Sequence, residues 1–100
     1  MRIIARRTLR RFWEDHPRGA EAKAALQVWY SAVHGADWTR PADVKETFAE
    51  ASILKGSRVV FNIAGNKFRL VTRINYPYRV VYVRFVGTHQ EYDDIDAEIV

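Results

Sequence analysis

The spacing of apolar side chains changes abruptly near Gly56, and this change constrains the fold more than any other feature of the chain. Before Gly56 the apolar residues recur every three or four positions, which is typical of amphipathic helices. After it they alternate with polar residues, which is typical of strands with one buried face. The order predicts an α+β fold in which helices pack on a mostly antiparallel sheet. A chain of 100 residues has room for one such domain, spanning 1–100.

The first half predicts a short strand and three helices. The first two helices are separated by a proline and a glycine, Pro17 and Gly19, and should form a helical hairpin. The third begins with a proline at its first helical position, where the missing N–H costs nothing. The predicted segments are a strand at Ile3–Ala5 and helices at Thr8–His16, Ala20–His34 and Pro41–Phe48.

The second half predicts an antiparallel meander of three strands. Two short turns, centred on Gly65-Asn66 and Tyr76-Pro77, connect them. A short polar helix or tail begins near Thr88. The predicted strands are Arg58–Ile63, Lys67–Asn75 and Arg79–Val86.

Two-residue turns fix a pairing that sorts the side chains onto two faces. On the polar face, Asn62, Arg69 and Arg84 should form one row, with the two arginines directly opposite each other. Such a pair repels, so it indicates an anionic partner such as phosphate. Alternatively, acids of the C-terminal tail, such as Glu91 or Asp93, neutralise it. The predicted core face consists of Phe61, Ile63, Phe68, Leu70, Val83 and Phe85.

Charge is distributed unevenly along the chain. The net charge is +4, yet residues 51–90 contain no acidic residue at all. A carboxylate-free stretch of this length favours a polyanion, although a solvated sheet face explains it as well. Its basic residues are Lys55, Arg58, Lys67, Arg69, Arg73, Arg79 and Arg84.

The polar residues that follow the arginine strand suit RNA cleavage without a metal. The RNA 2′-hydroxyl can attack its own phosphodiester if a protein moves two protons and stabilises the added charge. His89, Tyr92 and Lys67 are candidates for proton transfer, and the arginines for charge stabilisation. His89 could instead cap a helix, and the ring of Tyr92 could simply pack on the sheet.

Several classes of protein are excluded or disfavoured. The chain has no cysteine, which rules out disulfides, thiolate metal ligands and a cysteine nucleophile. Its three histidines have no carboxylate at ligand spacing, so no metal site is predicted. No apolar stretch is long enough for a signal peptide or a membrane span, and we expect a cytoplasmic protein.

Three stretches of the second half resemble the pattern of HigB-type toxins, which belong to the RelE-like superfamily. The helices and the segment Ala42–Phe48 also suit that family, so the resemblance covers nearly the whole chain. The matching stretches are VFNIAGNKFRLV at 60–71, VYVRFV at 81–86 and THQEYD at 88–93.

The resemblance implies a RelE-like fold and a ribosome-dependent mRNA endonuclease (an mRNA interferase) that needs no cofactor. It also implies a partner, a HigA-type antitoxin with a helix-turn-helix domain. The toxin would contact operator DNA only through this antitoxin. Arg69 and Arg84 match the family's basic positions, and His89 and Tyr92 match its C-terminal motif. Which of the last two is the general base stays open. Lys67 is a further catalytic candidate. The residues expected to bind RNA are Asn62, Asn66, Arg73, Arg58 and Lys55.

Two other functions remain open on the sequence. A non-catalytic RNA-binding module could use the same basic face, and a structural domain could present that face to an acidic protein. The position of His89 and Tyr92 just after the arginine strand favours the enzyme.

Overall fold

The change of apolar spacing near Gly56 separates the first three helices from the three longest strands of the sheet. A computed structural model describes residues 1–100 and confirms the α+β fold, with the first three helices on one face of a five-stranded sheet. The strand order is β1-β5-β4-β3-β2; β1 runs parallel to β5 and every other pair is antiparallel. The elements are β1 (Arg2–Ile4), α1 (Arg6–Asp15), α2 (Lys23–His34), α3 (Pro41–Thr47), β2 (Ser52–Ile53), β3 (Arg58–Ile63), β4 (Phe68–Asn75), β5 (Val80–Thr88) and α4 (His89–Asp93).

The helical hairpin is close-packed at its turn. A 3-10 turn at Gly19–Ala22 precedes α2, where a continuous helix from Ala20 was predicted. A Cβ on Gly19 would lie 1.9 Å from the carbonyl oxygen of Phe12, so only glycine lets the two helices approach this closely.

The main core lies between the helices and one face of the sheet. Phe61, Ile63, Phe68 and Leu70 are buried there, as predicted, with Val83 packed beside them. Trp29 of α2 meets Phe61 edge to face, with ring centroids 5.4 Å apart.

The pairing of β3 with β4 is the one predicted. Asn62 is opposite Arg69, and Ile63 is opposite Phe68. Gly65, in the turn between the strands, has a φ of +69°, which suits glycine. The two-residue strand β2, which pairs with Val59 and Val60, was not predicted because it is too short to show alternation.

The predicted pairing of β4 with β5 is wrong. The connecting turn holds four residues rather than two, since Asn75 pairs with Val80, and Arg79 in that turn has a φ of +57°. Arg84 is then an extra residue in β5, because Val71 pairs with Phe85 while Thr72 pairs with Val83. As a result Arg69 lies opposite Gly87, and not opposite Arg84.

The extra residue in β5, a β-bulge, also moves Phe85 out of the main core. Phe85 lies on the far face of the sheet, where Val60, Val71 and Ala97 are buried in a second, smaller cluster. The chain after α4, residues 94–100, folds back over this face; we call it the tail segment. The remaining side chains of the cluster are Leu54, Tyr92, Ile95 and Val100.

Candidate active site

The small apolar cluster covers the middle of the predicted basic face and leaves a polar cleft at each end. The first, of about 500 Å³, we call the histidine cleft; it is lined by His16, Arg18, Asn66, Lys67, Thr88, His89, Gln90, Glu91 and Asp93. The second, of about 470 Å³, we call the arginine cleft; it is lined by Ser57, Arg73, Ile74, Asn75, Tyr76, Pro77, Tyr82 and Arg84. The site predicted as a single row is therefore divided between two places.

His89 stands at the N-terminal end of α4, in the histidine cleft. Its main-chain N–H donates to the carbonyl oxygen of Lys67 at 3.0 Å, which ties the helix to the β3–β4 turn. Its Nδ1 lies 3.2 Å from Oδ2 of Asp93, one helical turn later, and half of its side chain is exposed. A carboxylate beside Nδ1 favours a proton on that nitrogen and leaves Nε2 as the basic one.

The position of α4 is fixed by a capping box. The Thr88 hydroxyl accepts a hydrogen bond from the main-chain N–H of Glu91 at 3.1 Å, and the Glu91 carboxylate accepts one from that of Thr88 at 2.8 Å. The Thr88 N–H and the neighbouring His16 side chain lower the pKa of Glu91. These bonds stabilise the ionised carboxylate.

His16 anchors the end of α1 to this cap. Its Nδ1 accepts the main-chain N–H of Arg18 at 3.0 Å, so the proton of the neutral ring lies on Nε2. Nε2 is 3.0 and 3.1 Å from the two carboxylate oxygens of Glu91. Because both ring nitrogens are engaged, we interpret His16 as an anchor and not as a proton carrier.

Two cations border the cleft beside His89. Lys67 is 61% exposed, and its only nearby carboxylate is that of Glu21, at 3.9 Å. Arg18 Nε also pairs with Glu21, at 3.0 Å, while its guanidinium lies over the ring of Phe68. Exposed ion pairs of this kind are weak, so both cations can exchange Glu21 for a phosphate.

Arg69 lies behind the cleft and not in it. Only 9% of the residue is exposed. Its Nη1 donates to the main-chain oxygens of Asn66 and Phe68, both at 3.2 Å, and its Nη2 donates to Oδ1 of Asn66 at 3.0 Å. Arg69 therefore holds the turn that carries Asn66 and Lys67.

The other predicted residues lie elsewhere. Arg84 and Arg73 are in the arginine cleft, and Arg58 is opposite Arg73. The ring of Tyr92 packs in the small apolar cluster, which was the alternative to a catalytic role. Lys55 and Asn62 line neither cleft.

The acids of the C-terminal region do not neutralise the arginines. Glu91 pairs with His16 and Asp93 with His89, whereas no aspartate or glutamate side chain lies within ion-pair distance of Arg69 or Arg84. The alternative explanation of the basic face is therefore wrong for these two acids.

Six of the nine residues that line the cleft were not among the predicted site residues: His16, Arg18, Thr88, Gln90, Glu91 and Asp93. Asp93 could have been found, because it stands four positions after His89 and a helix places such residues side by side. Nothing in the sequence indicates His16 or Arg18, since α1 meets α4 only through the tertiary fold.

Neither a metal-binding group of side chains nor a membrane-spanning helix is present. No group of three or more histidine, aspartate or glutamate side chains is placed to hold a metal ion. None of the helices has the length and apolar character needed to span a membrane.

Known proteins similar to this chain share one description. Residues 22–95 match the family model HigB_toxin, described as the RelE-like toxic component of a toxin-antitoxin system. The "mRNA interferase toxin HigB" of Escherichia coli strain K12 is 27% identical over 99 residues, covering 97% of this chain and 92% of the relative. The "mRNA interferase HigB" of Shigella flexneri has the same identity and coverage, and that of Escherichia coli O6:H1 is 24% identical over 97 residues, covering 95% of this chain and 91% of the relative.

Proposed function

This chain belongs to the HigB toxin family, the RelE-like toxic components of toxin–antitoxin systems, and we propose that it cuts mRNA in the histidine cleft. The activity itself, an mRNA endonuclease that acts as a toxin, follows from the family and from relatives named as mRNA interferases. The family also gives the chain an antitoxin partner.

The observation that carries the proposal is the pairing of His89 with Asp93 beside Lys67. Nε2 of His89 takes the proton of the attacking 2′-hydroxyl, while Asp93 holds the ring through Nδ1. Lys67 and Arg18 stabilise the charge that develops on the phosphate oxygens. The 2′-oxygen bonds to phosphorus, the bond to the 5′-oxygen breaks, and Lys67 supplies a proton to that leaving oxygen.

In this scheme Arg69 is a positioning residue. It supports the turn of Asn66 and Lys67 from behind and adds positive charge near the phosphate. Asn66, exposed at the rim, contacts the RNA backbone. Tyr92, packed in the small apolar cluster, holds α4 against the sheet and moves no proton.

The proposed function includes the setting of the cut and the type of antitoxin. We propose that the RNA is mRNA on the ribosome, that no metal takes part, and that the antitoxin is of the HigA type. Its helix-turn-helix domain would bring the complex to operator DNA. A purely RNA-binding module explains the basic clefts but gives no role to the His89–Asp93 pair.

The ends of the RNA products test this chemistry. Attack by the 2′-hydroxyl must leave a 2′,3′-cyclic phosphate on one fragment and a 5′-hydroxyl on the other. We expect both ends when the purified protein cuts mRNA on translating ribosomes. A 5′-phosphate would show that water attacked instead, and would contradict the scheme. Binding without any cut would favour the RNA-binding module.

A further inference from the structure

We propose that the arginine cleft is a second attachment point for RNA, which holds the phosphate backbone of a strand away from the histidine cleft. The proposal rests on the endonuclease function proposed above. It gives Arg84 and Arg73 a role in binding, apart from the chemistry at His89.

The charge of the arginine cleft is unbalanced. Arg73 and Arg84 line it, and Arg58 stands directly opposite Arg73 on the neighbouring strand. No aspartate or glutamate lines the cleft or forms an ion pair with any of the three arginines, and the terminal oxygen of Val100, which bonds Arg58 at 3.0 Å and lies 3.4 Å from Arg84, is the single acidic group beside them. Like charges placed opposite each other on neighbouring strands repel, and a bound anion removes that repulsion.

The three arginines differ in what they can offer a ligand. Arg58 is occupied, because its Nη1 donates to the main-chain oxygen of Gly56 at 3.1 Å and its Nη2 to that of Val100 at 3.0 Å. Arg84 makes a single long bond to Val100, at 3.4 Å, and Arg73 is exposed and makes no side-chain hydrogen bond. Arg73 and Arg84 are therefore the two free guanidinium groups.

The surroundings of these arginines favour RNA over an acidic protein. Tyr82, opposite Arg73, offers an aromatic ring on which a base can stack, and Ser57 and Asn75 offer neutral hydrogen-bonding groups. A planar guanidinium matches the oxygens of a phosphate in the same way at every nucleotide. An acidic peptide has no base to stack on the ring.

The two clefts are placed for one nucleic acid to occupy both. Lys67 directly precedes β4 and Arg73 is the sixth residue of that strand, a separation of about 20 Å along an extended chain. The tail segment lies between the clefts and carries three exposed carboxylates, on Asp94, Asp96 and Glu98. These repel a backbone that lies across them, so we infer two separate attachment points and not a continuous track.

The test is a binding measurement with the full-length double variant Arg73→Gln, Arg84→Gln. The probes are a 2′-O-methyl RNA oligonucleotide, which cannot be cut, and vacant ribosomes. We expect the affinity for at least one of them to fall about tenfold or more. Each phosphate contact to a single strand contributes about 0.7 to the slope of log K against log[salt], so at about 0.1 M salt each lost contact lowers log K by about 0.7. Loss with the oligonucleotide identifies mRNA as the ligand, and loss with ribosomes alone identifies ribosomal RNA.

The matched control removes two arginines from the helical layer. Arg7→Gln, Arg10→Gln lowers the net charge equally, on an exposed stretch of α1. The proposal is overturned if the two double variants weaken RNA binding equally, if neither does, or if the arginine-cleft variant loses only antitoxin binding. No cleavage enters this measurement, so an inactive wild-type protein would contradict the proposed function without deciding the role of this cleft.

Discussion

At the scale of single residues, the role of each charged side chain is set by what it contacts. His89 and Asp93 are brought together by one turn of α4, and Arg69 is covered by the turn it supports. The sequence indicated the kinds of residue that the site uses. It placed Arg69 and Arg84 wrongly with respect to each other, because one extra residue in β5 changes the faces of all that follow.

Asp93 should act through the orientation of His89. We expect Asp93→Asn to lower kcat at least tenfold while KM stays within about threefold, because a positioning residue acts on the chemical step and not on binding. Asp93→Glu should recover part of the rate. An equal loss in both variants, with lower melting temperatures, would instead show a structural role.

Glu91 should make stability depend on pH in the acid range. The Thr88 N–H and the His16 side chain lower its pKa in the folded protein. The stabilisation is therefore present above the unfolded pKa of about 4.3 and is lost as the pH falls through the lower, folded value. Glu91→Gln lacks the stabilisation by the ionised carboxylate, so its melting temperature should lie below that of the wild type near pH 7 and approach it at low pH. A constant difference between the two curves would contradict the assignment.

At the scale of helices and strands, the sequence predicted those elements whose apolar pattern is long enough to read. The bounds of β3 and its pairing with β4 follow from the Gly65-Asn66 turn and from alternation. The β4–β5 turn escaped prediction because Arg79 adopts a left-handed conformation that is uncommon for a residue with a side chain. The start of α2 differs because the 3-10 turn is set by contact with α1.

Gly19 should be the most sensitive position of the helical hairpin. A methyl group there would meet the main chain of Phe12 and Trp13, which cannot move aside as a side chain can. We expect Gly19→Ala to lower the free energy of unfolding by about 1–3 kcal/mol, the usual cost of overpacking. Gly35→Ala is the control, because its nearest neighbour, Ser31 O, is 3.6 Å away. Urea unfolding would measure both; similar stability of the two variants would contradict this packing.

At the scale of the whole molecule, the distribution of polar groups is set by contacts between distant parts of the chain. His16 and Glu91 are 75 positions apart, yet their bond joins the helical layer to the cap of α4. The tail segment covers the middle of the basic face and separates the histidine and arginine clefts. Neither feature has a local signature, which is why the sequence alone predicted one site where the structure has two clefts.

The rate of mRNA cleavage, measured with saturating mRNA-programmed ribosomes, shows whether the chemistry takes place in the histidine cleft. We predict that His89→Ala lowers this rate by about 10² or more, since a general base typically contributes 10²–10⁴. Arg40→Ala, which removes an exposed charge on the helical side, should cut mRNA as the wild type does. A folded His89→Ala variant that cleaves at the wild-type rate would contradict the account, because the chemistry would then lie outside the histidine cleft.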